Sequence, residues 1–349
     1  MKPKPIPASN TANNKYKKYL VWSIIFISGL LLGAILTHKA QPITQPTIPT
    51  TSTNNQDEVS EVRSGGYKFI NPLLECNNFN PSDQSYFIRM KSELNDYITL
   101  QTSEGNLVHA SVYCRDLNNG PWMGIDAEDD YSPASLLKLP VMIAVFRLAD
   151  RTPSILKEAN KYDQVLSSDY TANIPAEEKL KLGSTYTTEE LVYRMMVYSD
   201  NEAAQLLLKT YGVDILNKEV NELGIKLANV GKSEDFMSAV DYSTFFRMLY
   251  NANYLSKDLS EKALKIMSNC KFKNGIVAGV PEGIIVAHKF GERVFPQENT
   301  MQLHDCGIVY AGNKPYLVCI MTRGKDFTKS SSCIAEMSSI IYRNINSQN

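Results

Sequence analysis

Three short stretches carry side chains that suit one reaction if they meet in space: Ser135-Leu136-Leu137-Lys138, Ser199-Asp200-Asn201 and Lys289-Phe290-Gly291. That reaction is serine acyl transfer, in which a hydroxyl attacks a carbonyl, an amine takes its proton, and hydrogen-bond donors hold the developing oxyanion. Ser135 supplies the hydroxyl. Lys138, three residues on along a helix, falls on the same face, and a lysine held there with little water gives up its proton easily enough to act as the base. Ser199 is the candidate shuttle that returns a proton to the leaving nitrogen, and Asn201 is suited to hydrogen-bond a substrate amide or Lys138. Lys289 would attract a substrate carboxylate and polarise Ser199. Gly291 would let a substrate backbone come close. The backbone N–H groups of Ser135 and Glu292 are the candidate oxyanion donors.

Each stretch alone is weak. The spacing S-x-x-K recurs at Ser154 to Lys157 and Ser268 to Lys271, and K-x-G recurs at Lys181 to Gly183 and Lys273 to Gly275. A bland reading exists for each: a capped helix start with a solvated lysine, a turn between helices with Asn201 as N-cap, and an edge-strand lysine. Context separates the first set. Only Ser135 sits just inside a helix start, where Ser132 can cap and Pro133 suits the first helical position, ahead of an apolar run from Leu136 to Val145. Ser-Asp-Asn occurs once.

The elements that must position these groups follow from hydrophobic periodicity. A helix is expected over residues 84–99, then strands over 107–114 and 121–125. From about 133 to 268 the pattern is helical, with helices over 133–149, 188–197, 201–211, 214–223 and 241–252. Strands return at 283–290, 304–310 and 316–322, and a helix over about 328–345 closes the chain. Strands at both ends with helices between them predict a sheet assembled from distant segments and a separate helical lobe packed on it. The nucleophile would lie where the two meet.

The chain has 349 residues and a formal net charge of −1, with no basic patch interleaved with aromatics, which argues against a nucleic-acid partner. Residues 19–37 carry no charge; as a helix they reach roughly 28 Å, close to the roughly 30 Å hydrocarbon core of a bilayer. Lys2, Lys4, Lys15, Lys17 and Lys18 precede them, so the positive-inside rule keeps residues 1–18 as a cytoplasmic tail and places the rest outside, on a single-pass protein of the cell membrane. A cleavable signal peptide is the competing reading, although Thr37-His38-Lys39-Ala40 makes a poor cleavage site. Residues 38–65 are rich in Pro, Thr, Gln, Ser and Asn and read as a disordered linker. Residues 66–349 form the expected globular part. It holds all six cysteines, Cys76, Cys114, Cys270, Cys306, Cys319 and Cys333. An exported location permits disulfides. If Gly312 and Asn313 form a hairpin tip, Cys306 and Cys319 fall opposite each other; buried free thiols are the alternative. No Cys-x-x-Cys or His-rich spacing points to zinc, and no cofactor or metal is expected.

Taken together these residues resemble the penicillin-recognising serine enzymes, and among them the class A β-lactamase-like serine hydrolases. The resemblance runs over residues 100–349, through Tyr131-Ser132-Pro133-Ala134-Ser135-Leu136-Leu137-Lys138-Leu139-Pro140, Ser199-Asp200-Asn201-Glu202-Ala203-Ala204 and His304-Asp305-Cys306-Gly307-Ile308-Val309-Tyr310. It implies an α/β fold of the α+β type: a β-lactamase/transpeptidase-like antiparallel five-stranded sheet flanked by helices, plus an all-helical subdomain. It also implies Ser135 as acylated nucleophile, Lys138 as base, Ser199 as proton relay, Asn201 as substrate-binding residue and Lys289 as carboxylate anchor. The substrate would be a β-lactam or a peptidoglycan stem peptide.

Two departures stand out. Phe290 replaces the hydroxyl residue expected between Lys and Gly, which would make the pocket more apolar, with Arg293 as a substitute carboxylate partner. Residues 227–240 are too short for the loop that carries a water-activating glutamate in this class. Glu234 is the only glutamate there, without a Glu-x-x-Leu-Asn pattern, and is the one candidate deacylation base. A persistent acyl-enzyme would suit a D-alanyl-D-alanine carboxypeptidase; a non-catalytic muropeptide-binding protein is the reading from another class.

Overall fold

The computed structural model describes residues 61–63, 65–76, 85–118, 121–166, 179–214 and 235–347. In chain order its strands and α-helices are β1 (Glu61–Arg63), β2 (Leu73–Cys76), α1 (Ser85–Ser103), β3 (His109–Asp116), β4 (Trp122–Ile125), α2 (Lys138–Arg151), β5 (Ala159–Lys161) and β6 (Thr185–Thr187). There follow α3 (Thr188–Val197), α4 (Asn201–Tyr211), α5 (Ala239–Asn251), α6 (Lys257–Met267), β7 (Ile285–Phe295), β8 (Thr300–Ala311), β9 (Lys314–Gly324) and α7 (Phe327–Asn346).

One antiparallel sheet of five strands runs in the order β4-β3-β9-β8-β7. Its two early strands meet its three late ones through β3 and β9, so the sheet is assembled from distant segments, as the pattern predicts. Side chains alternate across it. Val286, Phe290, Leu303, Val318 and Ile320 face a core shared with α1 and α7. Ala287, Ile308, Leu317 and Met321 face the core of the helical lobe, where α2 to α5 place Val145, Met195, Leu206 and Phe246. The lobe occupies the span between β4 and β7, within the expected 133–268.

The late hairpin behaves as its turn residues demand. Gly312 and Asn313 stand at the tip between Ala311 and Lys314, Gly312 with φ of +60°, a conformation glycine takes freely. Thirteen residues apart, Cys306 and Cys319 face each other in register and are joined by a disulfide. Cys114, Cys270 and Cys333 are buried free thiols.

Element ends account for most differences from the expectation. The strand expected to stop at 290 runs on to Phe295, because the edge strand keeps its ladder through charged Glu292 and Arg293, paired with Leu303 and Gln302. A charged pair interrupts an apolar pattern but not an edge ladder. Helix α6 and the small pairs β1–β2 and β5–β6 were not individually expected. Among the described residues no helix is long and apolar enough to cross a membrane. The expected span over 19–37, nearly all of the linker, most of the helix over 214–223, and Glu234 lie outside the described residues.

Candidate active site

The nucleophile rests on a tighter element than expected. Ser135 lies on a 3₁₀ turn, Ala134–Leu137, closed by a 2.8 Å bond from the Leu136 N–H to the Pro133 carbonyl, and the α-helix begins only at Lys138. Neither Ser132 nor any other side chain caps that turn. Ser132 is instead tied to β8: its N–H donates to Gln302 Oε1 at 2.9 Å and its carbonyl accepts from His304 Nε2 at 3.0 Å. Gln302 also donates to Asp235 at 3.0 Å, and Asp235 pairs with Arg323 at 2.8 Å. Arg323 in turn lies 4.4 Å over the Tyr131 ring. Polar side chains of β8 and β9 therefore clamp the segment that leads into Ser135. Ala134 just before it holds φ at +46°, a left-handed conformation that costs a non-glycine residue about 1 kcal/mol or more.

Gly291 does a different job from the one read in the sequence. A Cβ there would lie 2.8 Å from the Pro133 carbonyl oxygen and 3.1 Å from the Leu136 nitrogen. The glycine lets β7 close onto the nucleophile's own turn rather than making room for a substrate.

Three of the predicted groups converge on Lys138. Its Nζ is 2.9 Å from Ser135 Oγ, 3.0 Å from Ser199 Oγ, 2.7 Å from the Ser199 carbonyl and 2.6 Å from Asn201 Oδ1. Four oxygens surround one nitrogen. Either form of the amine serves three of them, an ammonium through three protons and a neutral amine through two protons and one lone pair. A neutral amine gives its two protons to the two carbonyl oxygens, which can only accept, and offers its lone pair to a hydroxyl. Electrostatics favours that form. Burial, reinforced by the Lys289 charge, pulls Lys138 well below the ordinary lysine value, with Asp200 and Glu292 opposing.

The break between α3 and α4 aims these oxygens. Ser199 holds φ at +56°, which turns both its carbonyl and its hydroxyl toward Lys138. Asp200, not Asn201, is the N-cap: its Oδ1 accepts from the N–H groups of Glu202 and Ala203. With the cap supplied by its neighbour, Asn201 keeps its side chain for Lys138.

Lys289 completes the set from β7, its Nζ 3.0 Å from Ser199 Oγ and 2.8 Å from the Phe290 carbonyl. It is 0% exposed, and burial lowers it to about 8, with Cys270, Asp305 and Glu292 holding it up. Phe290 does not line the cleft as expected. Only 3% exposed, it packs with its ring centroid 4.6 Å from that of Phe272 and presents its face to Lys289 Nζ at 4.2 Å. Strand alternation sends it behind the sheet, so the missing hydroxyl adds no apolar surface to the site. Arg293 shares the strand face of Lys289 and Gly291; it is half-buried, its guanidinium 5.8 Å from the Phe295 ring centroid. Glu292 is half-buried and near enough to act on both lysines.

Among the described residues one group has metal-ligating chemistry at suitable spacing: His109, Asp126 and Asp129, with both carboxylates exposed. His109 Nε2 already pairs with Asp129 at 2.8 Å. No sequence signal marked it, because its members come from β3 and the loop after β4.

A sequence model described as the beta-lactamase enzyme family matches residues 89–345. The fold is similar to that of PBP-A, at 21% identity and a TM-score of 0.62 over 76% of this chain and 97% of that one. It is also similar to a single-substitution variant of PBP-A solved as an acyl-enzyme with penicillin G, at 22% identity and 0.61 over 72% and 96%. A representative class A beta-lactamase from Bacteroides cellulosilyticus matches at 18% identity and 0.64, over 74% of this chain and 99% of that one. At such identities the likeness is one of fold.

Proposed function

The chain belongs to the beta-lactamase enzyme family, and from that premise we propose that it is a serine hydrolase that opens β-lactams through an acyl-enzyme on Ser135. The observation that carries this reading is the buried amine of Lys138 held 2.9 Å from the Ser135 hydroxyl, where burial and the Lys289 charge loosen its proton. Lys138 takes the Ser135 proton as Oγ attacks the lactam carbonyl carbon. The N–H groups of Ser135 and Glu292 take the oxyanion. As the C–N bond breaks, the nitrogen receives a proton from Ser199, which regains one from the Lys138 ammonium 3.0 Å away. The charge of Lys289 lowers the cost of a negative Ser199 oxygen during that relay. Because Lys289 is fully buried, the direct partner of a substrate carboxylate is Arg293 on the same strand face. Asn201 holds Lys138 through its oxygen and offers its amide N–H groups to the substrate.

How long the acyl-enzyme lasts separates two activities. Residues 227–240 lack a Glu-x-x-Leu-Asn pattern, and Glu234 is the only carboxylate we assign as a base for deacylation. Slow water attack supports the second reading, a D-alanyl-D-alanine carboxypeptidase acting on peptidoglycan stem peptides. Four reactive side chains held in mutual contact argue against a purely muropeptide-binding protein.

We further read the protein as anchored in the cell membrane by residues 19–37, with its catalytic part outside. The five lysines before that segment support the orientation, and the Cys306–Cys319 disulfide suits an oxidising compartment.

Turnover of a chromogenic cephalosporin tests the activity. The expected result is a burst equal to the enzyme concentration followed by slower hydrolysis, both abolished in Ser135→Ala. Neither burst nor hydrolysis at saturating substrate would overturn the reading.

A further inference from the structure

The outer edge of β4 carries a groove that the acylation chemistry does not use. Among the described residues β4 pairs with β3 alone, so it ends the sheet. In an antiparallel ladder alternate residues turn their N–H and C=O groups away from the partner strand, and along β4 those groups point outward. A cavity of about 480 Å³ wraps this edge. It is lined by Trp122, whose ring stacks on Tyr113 of the lobe-face core with centroids 5.8 Å apart, and by Met123, which faces the core shared with α1. Ile88 of α1 and Val240 of α5 stand on its two banks. A hollow lined from both faces of a sheet straddles the edge of that sheet.

We propose that this edge docks a basic peptide segment of a partner protein, which adds in extended form as a further strand beside β4. The proposal does not depend on the chemistry at Ser135.

The groove offers apolar contact and charge together. Trp122 is 56% exposed and Ile88 70%, and large apolar side chains bared on one cavity mark a contact surface. Three carboxylates, Asp126, Glu128 and Asp129, line the same cavity against one cation, Lys91. Among the described residues no lysine or arginine pairs with any of the three; their one basic neighbour is His109, whose Nε2 lies 2.8 Å from Asp129 and 4.0 Å from Asp126. Asp130 follows, and burial together with the carboxylates of Asp241, Asp235 and Asp129 raises its own carboxyl, with Arg323 opposing. Acidic charge is therefore in excess at this edge, which favours a cationic ligand and repels nucleic acid. Main-chain groups spaced along a strand match an extended backbone rather than a small amine, and the alternating side chains of that backbone reach the apolar rim and the carboxylates. A lysine or arginine so placed can lie over the Trp122 ring. Acids at a sheet edge can serve only to keep copies of a chain apart, but that role needs neither the hollow nor the bared Trp122.

Trp22 and Trp122 are the two tryptophans of the chain, so in full-length Trp22→Phe, kept in detergent, emission reports Trp122 alone. The probe is a capped peptide of about six residues, the length of an ordinary strand, alternating lysine with valine. Its addition should shift the emission to the blue and saturate. Binding should weaken about tenfold or more when Asp126→Asn, Glu128→Gln and Asp129→Asn are combined, and should weaken with added salt. The same peptide with glutamate for lysine should not bind. Of two lysine peptides methylated on odd or on even backbone nitrogens, one should fail to bind, because only one set of N–H groups faces β4. No shift up to about 1 mM peptide would overturn the proposal, as would binding of the glutamate peptide or equal behaviour of the two methylated ones. A shift that grows with protein concentration in the absence of peptide would assign the edge to a second copy of the chain and overturn it as well.

Discussion

Arginine at position 138 would keep a cation in the ring of oxygens around Ser135, yet it cannot act as a base, because a guanidinium does not give up its proton in a protein. Lys138→Arg is therefore expected to lower the acylation rate by a factor on the order of a thousand or more, measured by stopped-flow with a chromogenic β-lactam while circular dichroism reports an intact fold. The wild-type rate should rise with pH as Lys138 loses its proton and fall as Lys289 loses its own near 8. His304 gives a stability prediction at the same scale. It accepts from the Thr322 N–H at Nδ1 and donates from Nε2 to Ser132, a pattern that only the neutral ring satisfies, and burial lowers it from 6.5 to about 4. Between those values the unfolded chain binds the extra proton, so stability should drop as pH falls through that window, and His304→Gln should flatten the drop in urea midpoints. At this scale the sequence carried the reactive side chains: Ser135, Lys138, Ser199, Asn201 and Lys289 do meet. It did not carry their supports. That Ser132 is held by Gln302 and His304, across about 170 residues, depends on sheet pairing that no local pattern encodes.

The elements aim the chemistry, and two of them do so through single positions. Gly291 brings β7 against the turn that bears Ser135, with the Pro133 carbonyl 2.8 Å from where a Cβ would stand. Gly291→Ala should force the strand and turn apart, lowering stability by about 1–3 kcal/mol and acylation more than the stability loss explains, as read by thermal melting and burst rate together. Asp200 caps α4, so Asp200→Ala should cost about 1 kcal/mol and loosen the Asn201 contact with Lys138. Helices over 188–197 and 201–211 were readable to the residue because a capping box at Thr187 and Glu190 starts the first and Gly212 ends the second. The start of α2 was not. Ser132 and Pro133 look like a cap and first turn, but the Ala134 backbone at φ of +46° shifts the α-helix to Lys138 and leaves Ser135 on a 3₁₀ turn. Strain of this kind arises from tertiary contacts.

The whole molecule works as a two-faced sheet, one face on α1 and α7 and the other on the helical lobe. Lys289 reports to the lobe face, while His288 and Phe290, its neighbours in sequence, report to the other. That alternation was implicit in the strand pattern, but the direction of Phe290 became legible only once β8 fixed which face was which. The Cys306–Cys319 link joins β8 to β9 inside the lobe-face core. Reduction, or Cys306→Ser with Cys319→Ser, should lower stability by about 2–3 kcal/mol in denaturant titration, without removing Ser135 acylation, since Lys138 and Ser199 take their hydrogen bonds from oxygen and nitrogen partners and not from either sulfur.

Peptide mapping by mass spectrometry after incubation with penicillin G tests the central claim most directly. The account predicts one added penicilloyl group, on the peptide containing Ser135, absent from Ser135→Ala and strongly delayed in Lys138→Arg. An unmodified Ser135 under saturating penicillin, or an adduct on another residue, would contradict it.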